Sequence, residues 1–80
     1  MAEVRLFAVL RELADATSVQ VEGDSVEQIV QALCDRYGER FTAIVRVSST
    51  VVNGERASLE HRVVAGDEVA ILPPVSGGAA

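Results

Sequence analysis

The segment from Ser25 to Tyr37 limits the fold most narrowly, because it has the clear pattern of an amphipathic helix. Two overlapping capping boxes mark its start, and Gly38 follows where a C-cap glycine belongs. Its apolar residues recur at the i, i+3, i+4, i+7 and i+11 spacing of one helix face: Val26, Ile29, Val30, Leu33 and Tyr37. The opposite side of the helix is polar, so we expect it to lie across one face of a sheet.

Short strand patterns stand on both sides of this helix. Residues 4–10 are almost all apolar, which predicts a strand buried on both faces or nearly so. Residues 18–22 alternate between polar and apolar, as a half-buried strand does. Residues 50–52 predict a third strand, and Asn53-Gly54 is a strong signal for a hairpin turn. Residues 68–72 predict the final strand.

Two other segments are less regular. Residues 11–15 are helix formers that predict about one helical turn. Residues 41–46 fit either a short helix or an irregular packed segment. The order strand, strand, helix, strand, strand predicts an α+β fold, with a mixed sheet of four to five strands and one main helix across one face.

Length and charge exclude several classes of protein. Eighty residues predict one domain, residues 1–74, followed by a flexible C-terminal tail, residues 75–80. The net charge of −5 argues against nucleic-acid binding, which needs a basic surface. The apolar runs are too short for a membrane span, no signal peptide is recognisable, and the single cysteine predicts a reducing, cytoplasmic location. All seven basic residues are arginine, so no side-chain amine can accept an isopeptide bond.

The C-terminal stretch combines two proline residues with a diglycine. Pro73 and Pro74 cannot donate hydrogen bonds to a sheet, so the last strand must end there. Gly77 and Gly78 carry no Cβ and could enter a slot too narrow for other residues. The tail is either the working part of the molecule, held out by a rigid body, or a frayed terminus.

The body of the chain contains little that predicts catalysis. His61 has no cysteine or aspartate at a metal-ligand or catalytic-triad spacing, and we expect it in a surface loop. Cys34 shares the apolar face of the helix and is expected to be an inert buried thiol. No phosphate-binding glycine loop or metal-ligand cluster is recognisable, so the body is not predicted to be an enzyme by itself, and no metal or cofactor is expected to bind to it.

The chain resembles the MoaD family, the small subunit of molybdopterin synthase, within the ubiquitin-like β-grasp sulfur carriers. The resemblance runs nearly from end to end. It depends on Phe7-Ala8 followed by Arg11-Glu12-Leu13, on Val52-Asn53, on Gly66-Asp67-Glu68-Val69, and on Pro73-Pro74-Val75-Ser76-Gly77-Gly78. The thiamine-pathway carrier ThiS shares the fold and the diglycine but usually lacks the proline pair, and it is the alternative.

The resemblance implies a mechanism in which the tail is chemically charged. A MoeB-like activating enzyme of the E1 type would use ATP to adenylate the Gly78 carboxyl group, and sulfur would then replace the adenylate. The resulting thiocarboxylate would enter a MoaE-like large subunit and give its sulfur to a pterin precursor. The active site would belong to the partner.

The resemblance also implies a surface that binds these partners. Phe7, Leu72 and Val75 would form an apolar docking patch, although Phe7 could equally be plain core. Arg11 matches the family's motif arginine and could meet an acidic group on the activating enzyme. The other residues of the C-terminal stretch, namely Pro73, Pro74, Ser76 and Gly77, would contact the partner during insertion.

Two regions depart from the family pattern. Glu55 and Arg56 occupy a region where several relatives carry an apolar residue on the docking face. Ala79 and Ala80 follow the diglycine, so the Gly78 carboxyl group is tied up in a peptide bond. The chain could be a precursor trimmed by a protease, could carry an added tail, or could be a β-grasp interaction module that is never charged.

Overall fold

A computed structural model describes residues 1–74 of the 80-residue chain. The predictions for Val75, Ser76, Gly77 and Gly78, and for the flexible tail as a whole, concern residues outside this range. Eight elements follow one another: β1 (Ala2–Leu6), α1 (Val9–Ala14), β2 (Ser18–Val21), α2 (Val26–Tyr37), α3 (Glu39–Arg46), β3 (Ser49–Val52), β4 (Glu55–Arg56) and β5 (Glu68–Leu72).

The strands form one five-stranded mixed sheet in the order β2-β1-β5-β3-β4. The first and last strands, β1 and β5, are parallel neighbours, and every other pair is antiparallel. This confirms the predicted α+β fold. The prediction of a strand over residues 4–10 was wrong at its end, because Ala8 has φ 53° and turns the chain into α1. Helix α1 is therefore longer than the single turn predicted for residues 11–15.

The predicted main helix is confirmed as α2, and its capping follows the sequence signals. The Ser25 hydroxyl oxygen accepts a hydrogen bond from the Gln28 amide at 3.2 Å, and the Gln28 side chain accepts one from the Asp24 amide at 2.7 Å. Gly38 has φ 90° and donates its amide hydrogen to the Cys34 carbonyl oxygen at 2.9 Å. Residues 41–46 belong to the helix α3, which settles the second ambiguous segment.

The sheet buries one face and leaves the other face open, so β1 is not buried on both sides as predicted. In β1 the residues Ala2, Val4 and Leu6 are buried, whereas Arg5 between them is exposed. The helices supply the other half of the core, and Phe41 of α3 is its largest fully buried side chain. Cys34 is only partly buried.

Three further predictions can be compared with the described residues. His61 lies exposed in a loop, as expected. Among residues 1–74 no group of three or more metal-ligating side chains comes together. None of the helices in this range is long and apolar enough to cross a membrane.

A cluster of hydrogen bonds fixes the start of β5 to the β3–β4 turn. The Asn53 side chain donates to the Asp67 carboxylate at 3.0 Å and accepts from the Glu68 amide at 3.0 Å. The other Asp67 oxygen accepts from the Val64 amide at 2.9 Å. The Val64 hydrogen bond, followed by that from Asn53, lowers the pKa of Asp67. Asn53 and Gly54 have φ 51° and 88°, the left-handed values that a type I′ hairpin turn needs.

Removing the Phe41 ring should destabilise the fold far more than removing the Phe7 ring. Phe41 is fully buried, whereas Phe7 is 37% exposed. A buried Phe→Ala substitution costs about 3–5 kcal/mol, so Phe41→Ala should lower the free energy of unfolding by that amount in urea titrations. Phe7→Ala is the matched control, and an equal loss in both variants would contradict this assignment of the core.

The lowered pKa of Asp67 should appear as a pH-dependent contribution to stability. Because the native pKa lies below the ordinary value of 3.8, the carboxylate stabilises the fold above that pH. This contribution disappears as the pH falls through the native pKa. Asp67→Asn should therefore have a lower Tm than the wild type at pH 6, and the difference should shrink at lower pH. Glu60→Gln in the exposed loop is the control, and a Tm difference for Asp67→Asn that is independent of pH would contradict the prediction.

Candidate functional site

The tail leaves the body from the middle of one end of the sheet. Strand β5 ends at Leu72, which pairs with Ser49 of β3, while the preceding Ile71 pairs with Leu6 of β1. Pro73 is half-buried and Pro74 is exposed. A segment that follows a central strand is held by neighbours on both sides, so its point of departure is fixed by two sets of strand pairing.

An apolar patch lies on the open face of the sheet at this end. Ala70 and Leu72 project to the face opposite the buried Val69 and Ile71, and Val51 pairs directly with Ala70. Leu72 is 37% exposed although it is a large apolar side chain. We call Val51, Ala70 and Leu72 the tail-root patch.

Phe7 and Arg11 lie at the same end of the molecule as the tail-root patch. Phe7 directly follows Leu6, the last residue of β1, and is partly exposed, so it is not the plain core residue of the alternative reading. The Phe7 carbonyl oxygen accepts the Leu10 amide hydrogen at 3.1 Å, which starts α1 immediately after β1. Arg11 is exposed on that helix. The structure therefore brings Phe7, Arg11 and Leu72, predicted from distant parts of the chain, to one end of the sheet.

Two arginine residues flank the tail-root patch along one row of the sheet. Arg5 pairs with Ala70, Ala70 pairs with Val51, and Val51 pairs with Arg56. The row therefore has a small apolar centre and a cation at each side. The sequence alone did not single out Arg5, because its position beside the patch depends on strand register, and it left open whether Glu55 and Arg56 belong to the docking face. The register places Arg56 opposite Val51 of the open face.

The charge on this face is balanced by acidic residues farther from the tail. Arg5 forms an ion pair with Glu68 at 3.4 Å, and both side chains are about half exposed (52% and 48%). Glu3 pairs with Glu68 in the neighbouring strand. An exposed pair of this kind contributes about 0–1 kcal/mol to stability. If Arg5 and Glu68 bound a docked protein instead of each other, the fold would therefore lose little free energy of unfolding.

Apart from the tail-root patch, a concave surface lies between the helices and β3, with a volume of about 760 Å³. Its lining includes Cys34, Thr42 and Ser48. The Thr42 hydroxyl donates to the Gly38 carbonyl oxygen at 2.8 Å, and the Ser48 hydroxyl donates to the Ile44 carbonyl oxygen at 2.6 Å. Both hydroxyl groups donate to backbone carbonyl oxygens of α3 or of its N-cap residue, so the groove does not present them as free donors to a substrate.

Comparison with known proteins agrees with this layout. The ThiS family profile matches residues 4–78, almost the whole chain. The molybdopterin synthase sulfur carrier subunit of Escherichia coli is 38% identical over 86 residues, which cover 98% of this chain and 100% of the relative. The small archaeal modifier protein 1 of Haloferax volcanii is 38% identical over 90 residues, covering 95% of this chain and 99% of the relative.

A solved structure shows the same fold. The solution structure of small archaeal modifier protein 1 from Methanosarcina acetivorans superposes with a TM-score of 0.85 at 30% identity, covering 96% of this chain and 95% of the other. The sheet order, the helix across one face and the end-to-end sequence matches lead to one conclusion: the chain belongs to the ThiS/MoaD family of ubiquitin-like β-grasp proteins.

Proposed function

We propose that this protein is a sulfur carrier that acts as the small subunit of molybdopterin synthase, with Gly78 as the C-terminal residue that carries the sulfur. The observation that carries the proposal is the family match, which runs from residue 4 to residue 78 and ends on the second glycine of the diglycine. A relative matched over its whole length is named as the sulfur carrier subunit of that enzyme. The body provides a fixed point of departure for the tail, and the tail provides the chemistry.

The chemistry requires activation of a poor electrophile. A carboxylate resists attack because its charge is shared between two oxygens. Transfer of AMP from ATP to the Gly78 carboxylate forms an acyl-phosphate bond and releases pyrophosphate. Hydrosulfide from the sulfur donor then attacks the acyl carbon, the bond to the AMP oxygen breaks and AMP leaves. Loss of the proton from sulfur gives the thiocarboxylate. The thiocarboxylate sulfur in turn attacks a carbon of the pterin precursor and displaces a leaving group there. Water then cleaves the acyl C–S bond, so the sulfur stays on the precursor and the Gly78 carboxylate is regenerated.

The body supplies position rather than catalysis. Strand β5 is held on both sides, so the tail root cannot shift along the sheet, and Pro73 and Pro74 reduce the freedom that is lost when the tail is inserted. The glycine pair can pass a channel that excludes any residue with a Cβ. ATP and the catalytic groups would be supplied by partners: a MoeB-like activating enzyme and a MoaE-like large subunit, in the cytoplasm.

Partner binding is proposed to use the tail-root patch together with Phe7, Arg11 and the tail itself. The patch is apolar at its centre and is flanked by Arg5 and Arg56, an arrangement that suits an apolar partner surface with acidic groups at its edge. Arg11 adds a third cation at the same end of the molecule. These arginines stand out on a chain whose net charge is −5.

The residues after Gly78 must be removed before the carrier can be charged. Adenylation needs a free carboxyl group, and in the sequence Gly78 is followed by Ala79 and Ala80. We propose that a protease releases these two residues. Intact-mass measurement on protein from its native host should then show a species ending at Gly78.

A second candidate function is the modification of other proteins. The small archaeal modifier protein 1 is as similar to this chain as the Escherichia coli carrier is, at 38% identity. The same activated Gly78 acyl group could be attacked by an amine of a target protein. The C–N bond would form as the bond to AMP breaks, and the amine would release a proton.

Charging of Gly78 should be directly measurable. A chain ending at Gly78, incubated with ATP, a sulfur donor and a MoeB-like enzyme, should gain the mass change of one oxygen replaced by sulfur. The full-length chain should not be charged, and neither should a chain that ends at Gly77. Equal charging of the full-length chain, or no charging of the chain ending at Gly78, would refute the carrier proposal.

Leu72→Asp should weaken binding to the large subunit without unfolding the protein. Leu72 is an exposed apolar residue at the centre of the docking surface, and a charge there would be buried against the partner. We expect Kd to rise at least about 30-fold, the effect of a hot-spot residue worth 2 kcal/mol. Leu59→Asp is the control, because Leu59 is also exposed but lies in the loop beside the start of α2. Similar losses for both variants would contradict the placement of the docking surface.

A further inference from the structure

The cations nearest to the departing tail are all arginine. Arg5 and Arg56 lie in the same row as Ala70, two residues before the end of β5. Successive strand residues rise about 3.3 Å, and neighbouring strands lie about 4.8 Å apart. The Cα atom of Arg5 is therefore on the order of 8 Å from that of Leu72 by these spacings. The six residues from Pro73 to Gly78 span at most about 20 Å, so the carboxyl terminus can reach both arginine side chains.

The chemical identity of these cations then matters, because an activated acyl group reacts with amines. A lysine at either position would place a nucleophilic amine within reach of the Gly78 acyl carbon. Short flexible linkers produce effective concentrations of the order of mM, far above those of most cellular proteins. Arginine supplies the same positive charge for docking, but its guanidinium stays protonated and does not act as a nucleophile.

We infer that the arginine-only set of cations prevents the activated C-terminus from acylating its own body, so that its stable acceptors lie on other molecules. This inference rests on the proposed charging of Gly78, and it extends to both candidate functions. In the reaction that is avoided, an amine attacks the acyl carbon, the bond to AMP or to a thiol leaving group breaks, and an amide forms with loss of a proton. All seven basic residues of the chain are arginine, so no side chain offers that amine.

Two other nucleophiles of the body, the Cys34 thiol and the Met1 α-amine, give a labile product or are poorly placed. Cys34 is half-buried, and a thioester formed on it exchanges back with free thiols. In a chain that starts at Met1, the α-amine lies near the far end of the sheet. The Met1 carbonyl oxygen accepts the Gly66 amide hydrogen at 3.3 Å, just before β5 begins. The parallel pairing of β1 with β5 therefore separates the amine from the tail root by the length of a strand.

The inference can be tested without an activating enzyme. A chain ending at Gly78 is prepared as a C-terminal thioester in four forms: the wild type, Arg5→Lys, Arg56→Lys and Arg62→Lys. Arg62 is the matched control, because it is exposed and shares a depression with Met1 at the far end of the sheet. All three substitutions keep the positive charge, and mass spectrometry follows the products at pH 8.

The wild type should give only the hydrolysed acid. Arg5→Lys and Arg56→Lys should each release the thiol and give a monomer that is one water lighter than the hydrolysed acid. This monomer should resist hydroxylamine and form at a rate independent of protein concentration. That rate should exceed the rate for Arg62→Lys at least about tenfold, since the effective concentration falls with the span to be bridged. An internal amide in the wild type would overturn the inference, as would equal rates in the three lysine variants. Failure of enzymatic charging would count against the proposed function. The thioester assay needs no activating enzyme and therefore tests the inference independently.

Discussion

The parallel pairing of the first strand with the last is the interaction on which the rest of the structure depends. Residues 3 and 68 face each other across it, so the fold closes only when both ends of the domain are present. The pairing places β5 at the centre of the sheet, with β1 on one side and β3 on the other. It buries the alternate side chains of both strands against the helices, including Val4, Val69 and Ile71. A strand held in this way cannot slip by one residue without moving its apolar side chains to the open face.

The two ends of β5 differ in their contacts: the start is held by hydrogen bonds, and the end lies beside an exposed apolar patch. At its start, the hydrogen bonds among Asn53, Val64, Asp67 and Glu68 fix the strand to the β3–β4 turn. At its end the strand stops against Pro73, and the chain leaves beside an exposed apolar patch. This cluster of hydrogen bonds therefore stabilises the body about one strand length from the tail root. Substitutions in the cluster are expected to act through stability, and substitutions at the tail root through binding.

Much of the fold could be predicted because its signals are periodic or depend on special residues. Helix α2 was found from its apolar spacing and caps, and the β3–β4 turn from Asn53-Gly54. The end of β1 was predicted wrongly, since Val9 and Leu10 continue an apolar run and nothing in the alanine side chain of Ala8 announces a positive φ. The hydrogen bonds between Asn53 and Asp67 join two motifs that were recognised separately. Contacts of this kind depend on which strands are neighbours in the sheet, and strand order cannot be read from a single sequence.

The candidate site was predictable for the same reasons and to the same extent. The proline and glycine pattern predicted a tail, which lies outside the described residues. The family resemblance selected Phe7, Arg11 and Leu72, which the fold brings to one end of the sheet. Arg5 carried no signal of its own, because its relation to the tail exists only through the register of β1, β5 and β3. The register places two arginine residues, Arg5 and Arg56, near the tail root, so the absence of lysine from the chain has a chemical consequence there. Under the proposed function, Arg5 and Arg56 would attract acidic groups of a partner towards the tail root. A guanidinium would provide that charge without reacting with the activated Gly78 acyl group.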